Sequence, residues 1–223
     1  MTTPTINLTA MFAVPFVTLP LPGARQLNPA LLPLIAARST EGHRDPQLPP
    51  SPLCFRSRED VFEWPEEPAR SLRREMLGGV CQAVMAANTF TEAEFDSFSV
   101  QARARLVIVR RDGALPALSI PLASWCALYC VAAPSPEPSR VDSAMLRLYE
   151  SRMANMFLDA SNWRLRPPFS PGHQLWRPTS GEMAVFPASI MHEVALNRGD
   201  SDLILILARI RFARPDMESL PPW

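Results

Sequence analysis

Lysine is absent from this 223-residue chain; all 22 basic side chains are arginine. That excludes every chemistry built on a lysine: Schiff bases, pyridoxal phosphate attachment and the P-loop lysine. The bias toward arginine is read as base composition. Charge of either sign is not in excess, because 22 acidic residues give a formal net charge of zero. The chain therefore carries no electrostatic footprint for nucleic acid or an anionic membrane. No apolar run reaches the length of about 18 residues that reads as a membrane span. The four cysteines, Cys54, Cys81, Cys126 and Cys130, form no CxxC pair and no zinc-ribbon spacing. Cys126 and Cys130 lie in an apolar run and read as small core residues. The N-terminus has neither a basic region nor a small-residue cleavage site. The expectation is no signal peptide and a cytoplasmic protein with reduced thiols.

Hydrophobic residues make up 47% of the chain and charged residues 20%, ordinary values for a soluble globular protein. The length suits one globular unit with a full core. Residues 10–21 are apolar with two prolines, an edge strand or extended arm. Asn28-Pro29 predicts a cap and first-turn proline for a helix over residues 27–38. A proline-rich loop follows, and then the strongest helical pattern, over residues 69–88, with Leu72, Met76, Val80 and Val84 near the helical period. Strands are predicted over residues 97–111, 117–133, 144–152, 174–177 and 203–213, with an irregular segment over 155–172. The predicted organisation is an arm, helices and loop over 1–96, a β core over 97–213 and a tail over 214–223. The fold class that follows is mainly β with supporting helices (α+β): a jelly roll or β-helix with helices packed outside.

The clearest stretch is residues 181–194, Gly-Glu-Met-Ala-Val-Phe-Pro-Ala-Ser-Ile-Met-His-Glu-Val. It reads as a strand, a corner at Phe186-Pro187 and a second strand carrying His192. Upstream, Pro121 precedes Cys126-Ala127-Leu128-Tyr129-Cys130-Val131, and Leu146 to Arg152 forms a further apolar strand. These segments, in this order and spacing, resemble the small bacterial and phage 2-oxoglutarate/Fe(II) oxygenase family, the prolyl-hydroxylase-like branch of the cupin-like double-stranded β-helix. The resemblance covers nearly the whole chain. It implies that His192 is the distal iron ligand.

The same resemblance implies departures. Counting back from Pro121, the two proximal ligand positions fall on Leu118 and Ile120. Counting forward from His192, the arginine that anchors 2-oxoglutarate falls on Leu203. A facial triad needs three donors, and aliphatic carbon supplies none. Arg209 and Arg211 share the face of Leu203 by period two but lie roughly 20 Å or more along the strand. His173 on a loop and Glu182 on the opening strand are the remaining candidates for a site with His192, and Glu193 is expected on the opposite face. Two readings of His192 stand: a relic hydrogen-bonded inside the barrel, or an acid, base or ligand. Trp125 and Tyr129 share a strand face, either flooring a pocket or packing in the core.

The expected function is an oxygenase-like pseudoenzyme that binds a small molecule or protein partner in or near the barrel, with no cofactor. The alternative is an active enzyme. It would be a 2-oxoglutarate/Fe(II) dioxygenase with relocated ligands, or a metal-free acid/base catalyst using His192 with Glu182 or Tyr129. A third is an assembly subunit using its proline-rich termini as arms. A homodimer is compatible with all three.

Overall fold

The computed structural model describes residues 13–135, 141–150, 172–214, 216, 221 and 223. The start of the first predicted strand (10–12), the end of the strand predicted to reach 152, nearly all of the irregular 155–172 segment and most of the tail lie outside the described residues.

The described strands form two sheets. The larger contains β1 (Val17–Pro20), β2 (Cys54–Arg56), β3 (Ser99–Val109), β5 (Trp125–Ala132), β8 (Glu182–Pro187) and β10 (Leu203–Ala213). Their order is β1-β8-β5-β10-β3-β2. The smaller contains β4 (Leu115–Leu118), β6 (Leu146–Tyr149), β7 (His173–Trp176) and β9 (His192–Val194), in the order β4-β9-β6-β7. The pairings within both sheets are antiparallel. This is the mainly β, two-sheet architecture expected for a double-stranded β-helix.

Among the described residues, three α-helices accompany the sheets: α1 (Ala24–Arg38), α2 (Glu67–Ala87) and the short α3 (Glu92–Asp96). In α2, Pro68 occupies the first turn and Glu67 faces the positive end of the dipole. Leu72, Met76, Val80 and Val84 form its buried stripe. The helix lies close to the sheet at Gly79, where a Cβ would fall 2.6 Å from Met183 Cε.

Two apolar clusters result. One lies between the larger sheet and the helices and includes Leu31, Leu72, Met76, Tyr129, Met183 and Ile206. The other lies between the sheets and includes Val107, Cys126, Leu128, Leu146, Phe186 and Leu205. The central strands feed both. On β10, Leu203, Leu205 and Leu207 face the barrel, while Ile206, Ala208 and Ile210 face the helices. Burial on both faces makes these strands nearly continuous hydrophobic runs.

The structure corrects the predicted start of α1. The helix begins at Ala24, after Gly23 at φ 70°, so Asn28 and both Pro29 and Pro33 lie inside it. The two prolines remove two ladder donors. Asn28 does not cap; it is buried and bonds across to the sheet. Its Nδ2 donates to the Val131 carbonyl at 2.9 Å and to Ser180 Oγ at 3.1 Å, and its Oδ1 accepts from the Tyr129 hydroxyl. Period two places Tyr129 against helix α1. The Tyr129→Phe variant strands a buried acceptor, a loss of about 1–3 kcal/mol. Thermal denaturation should show a clearly lowered midpoint; an unchanged midpoint means this network does not secure the helix.

Candidate functional site

Gly181, at φ 90°, opens the central motif. The chain then runs along β8, turns, and enters β9 at His192. The Ile190 amide donates to the Pro187 carbonyl at 3.1 Å and closes the corner. The Ala188 amide donates to Ser124 O at 3.1 Å, and the Ile120 amide donates to Ala188 O at 3.0 Å. These bonds tie the corner to the loop carrying Ile120.

His192 is fully buried. Its register partners are Leu118 on β4 and Leu148 on β6. The Phe186 ring meets it edge-on, with centroids 5.1 Å apart. Nδ1 lies 2.9 Å from the Ile190 carbonyl. A carbonyl only accepts, so the neutral ring holds its proton on Nδ1. Nε2 then presents a lone pair, buried and without a hydrogen-bond partner among the described residues. Burial lowers the imidazole pKa, opposed by the bond to Ile190. The ring is neutral at pH 7.

Leu118 and Ile120 are half-buried against the apolar cluster between the sheets, and Leu203 is fully buried within it. The three positions thus face the interior that His192 enters. Leu118 and Ile120 also line a cleft of about 290 Å³ at the barrel mouth. Leu203 pairs with Val109.

The other predicted site residues are not assembled around His192. His173 pairs with Tyr149, whereas His192 pairs with Leu148; adjacent positions on a strand face opposite ways, so the two histidines lie on opposite faces of the smaller sheet. The His173 and Tyr149 rings stand 6.1 Å apart. Glu182 shares the inward face of Phe186 but lies four residues, about 13 Å, back along β8. Tyr129 and Trp125 face the helices, so the pocket and proton-transfer roles considered for them do not materialise beside His192. Burial pushes the Tyr129 phenol up to about 12. Glu193 faces outward and pairs with Arg147 at 2.5 Å, as expected from its neighbour's inward direction.

Sequence reasoning overlooked one constellation. Arg56, Arg105 and Arg209 line the cleft beside Leu118 and Ile120, together with Glu59. Its signal was present: Arg209 continues the inward series Leu203, Leu205, Leu207. Arg105 reaches it from β3, where Arg105 shares its face with Val107 and Val109.

No protein-family model matches the sequence, and no curated protein matches it significantly. Solved structures match its fold. A Pseudomonas putida prolyl-4-hydroxylase is 14% identical, with a TM-score of 0.54 over 90% of this chain and 93% of its own. SnoK, a non-heme α-ketoglutarate-dependent carbocyclase from nogalamycin biosynthesis, is 10% identical, with a TM-score of 0.60 over 88% and 79%. Streptomyces hygroscopicus HygX, solved with nickel, 2-oxoglutarate and hygromycin B, is 14% identical, with a TM-score of 0.54 over 92% and 84%. The chain has the fold of the 2-oxoglutarate/Fe(II) oxygenases.

The buried imidazole makes stability depend on pH. Its folded pKa lies below the ordinary 6.5, so the unfolded chain binds more protons. Stability is therefore fully present well above pH 6.5 and falls as pH drops below it. His192→Leu should flatten that fall by at most about 1.4 kcal/mol per pH unit. Urea unfolding of both proteins between about pH 7.5 and about pH 5.5 spans the titration of an ordinary imidazole; parallel pH profiles would sink the assignment.

Proposed function

We propose that this chain keeps the oxygenase scaffold without its iron chemistry, and binds a small molecule or partner in or beside the barrel. The observation carrying this reading is that the residue opposite His192 is Leu118. Fe(II) in this chemistry needs a facial triad of protein donors. Leu118 and Ile120 offer only carbon. Among the described residues, no group of three His, Cys, Asp or Glu side chains is arranged to hold a metal ion. Leu203 likewise offers nothing to offset the burial of a dicarboxylate. The described residues around His192 fit neither iron nor 2-oxoglutarate.

A second reading rests on one observation: the bare Nε2 lone pair of His192 is what a general base requires. Neither Glu182 nor Tyr129 stands beside it to share a proton. Free cysteines, three of them buried, fit a reducing compartment. Among the described residues, no helix is long and apolar enough to cross a membrane.

Anaerobic titration with Fe(II) and 2-oxoglutarate should give no visible charge-transfer band in the parent protein, and the His192→Ala variant should look the same. A band that vanishes in the variant overturns this reading and directs the search to relocated ligands. Leu203→Arg supplies a second test. It buries an uncompensated charge and should cost about 3 kcal/mol or more. Added 2-oxoglutarate should restore none of that stability; recovery would mean that the co-substrate pocket survives.

A further inference from the structure

We infer that the cleft at the barrel mouth binds a monoanionic carboxylate with a short aliphatic body. This rests on the metal-free reading above and names its ligand class. The charges carry the first half of the argument. Three guanidinium groups, Arg56, Arg105 and Arg209, line the cleft. Two carboxylates answer them. Asp45 pairs with Arg105 at 3.1 Å, and Glu59 bridges Arg105 at 2.6 Å and Arg209. Arg56 donates to the Pro49 carbonyl at 3.1 Å and has no carboxylate partner among the described residues. Counting only the cleft-lining arginines and their described carboxylate partners, one positive charge is left over. A single carboxylate cancels the charge that Arg56 brings to the cleft lining.

The surroundings sharpen this surplus. Arg103 and Arg211 extend the arginine row, and Arg211 pairs with the neutral Gln101 at 2.7 Å. The Trp223 ring covers Arg209 and Arg211 at 4.2 and 4.1 Å from its centroid. A ring face attracts a cation without cancelling its charge. Burial lowers the Arg209 pKa; Glu59 opposes this, and Arg103, Arg105 and Arg211 add to it. The Arg209 Nε is buried and makes no hydrogen bond among the described residues.

The walls supply the second half. Leu118, on the smaller sheet, and Ile120 just after it stand across from the arginines, while Leu207 lies between Arg105 and Arg209 on the larger sheet. Converging charge on one side and aliphatic surface on the other select an amphipathic ligand. At about 290 Å³ the cleft sits at the small end of ligand pockets. An arginine fork suits a carboxylate in geometry as well as charge. The aliphatic body would then lie against Leu118, the residue paired with His192.

The probe is hexanoate, with hexan-1-ol as the uncharged control, titrated calorimetrically into the full chain in low-salt, chelated buffer. Hexanoate should bind saturably at millimolar concentration and the alcohol should not. Arg56→Gln, which breaks no ion pair among the described residues, should weaken hexanoate by about tenfold or more. Ile120→Glu leaves every arginine in place but supplies the cancelling carboxylate, and should abolish binding with an unchanged circular dichroism spectrum. Absence of hexanoate binding overturns the inference. So does equal binding of the alcohol, or binding that neither variant weakens. Because chelator excludes iron, this test and the iron titration fail separately: a charge-transfer band defeats the metal-free reading, and absent hexanoate binding defeats only the ligand assignment.

Discussion

Strands β5 and β10 are buried on both faces, and the rest of the molecule answers that constraint. Along most of their length neither face reaches water, so each side chain there must be apolar or carry its partner with it. Most are apolar: Cys126, Leu128, Cys130, Leu205 and Leu207 inside, Ala127, Val131, Ile206 and Ile210 toward the helices. Tyr129 keeps its hydroxyl satisfied through Asn28. That bond is available only because α1 starts a turn early and carries Asn28 over the sheet, two prolines notwithstanding. On the adjoining sheet His192 meets the same demand by half, with Nδ1 bonded and Nε2 bare.

The sequence exposed the long strands and the second helix well because their patterns repeat over many residues. The last strand, Leu203–Ala213, matches its predicted span of 203–213. The corner at Phe186-Pro187 and the inward His192 were also legible, because a glycine, a proline and a histidine sit at fixed offsets there. Facing was not legible on β5. Period two says that Trp125 and Tyr129 share a side, but with both sides apolar nothing local says which. Asn28 was misread for a related reason. Asparagine before proline is a strong cap signal, and only the tertiary partner Tyr129 makes the helix interior acceptable.

The inward face of β10 changes character along its length, from Leu203, Leu205 and Leu207 to Arg209 and Arg211. The register locates that change. Phe186, Cys126 and Arg209 are cross-strand neighbours on β8, β5 and β10. Strands are spaced about 4.8 Å apart, so Arg209 lies roughly 10 Å from Phe186, whose ring meets His192. The imidazole and the arginine row therefore occupy the same end of the barrel, away from Leu203. The barrel is apolar at Leu203 and carries arginines at its mouth.

A barrel of this kind does not need a metal to stand. A buried cluster of charged ligands is costly to desolvate, and removing it in favour of well-packed aliphatic side chains is often neutral or stabilising. Leu118, Ile120 and Leu203 pack into the cluster between the sheets with apolar side chains alone. The backbone can therefore keep the oxygenase course while the interior chemistry changes completely. A fold match at 10–14% identity reports that course, because it is set by strand pairing and two-sided burial. That course does not fix the side chains at the mouth, where three arginines meet two carboxylates among the described residues.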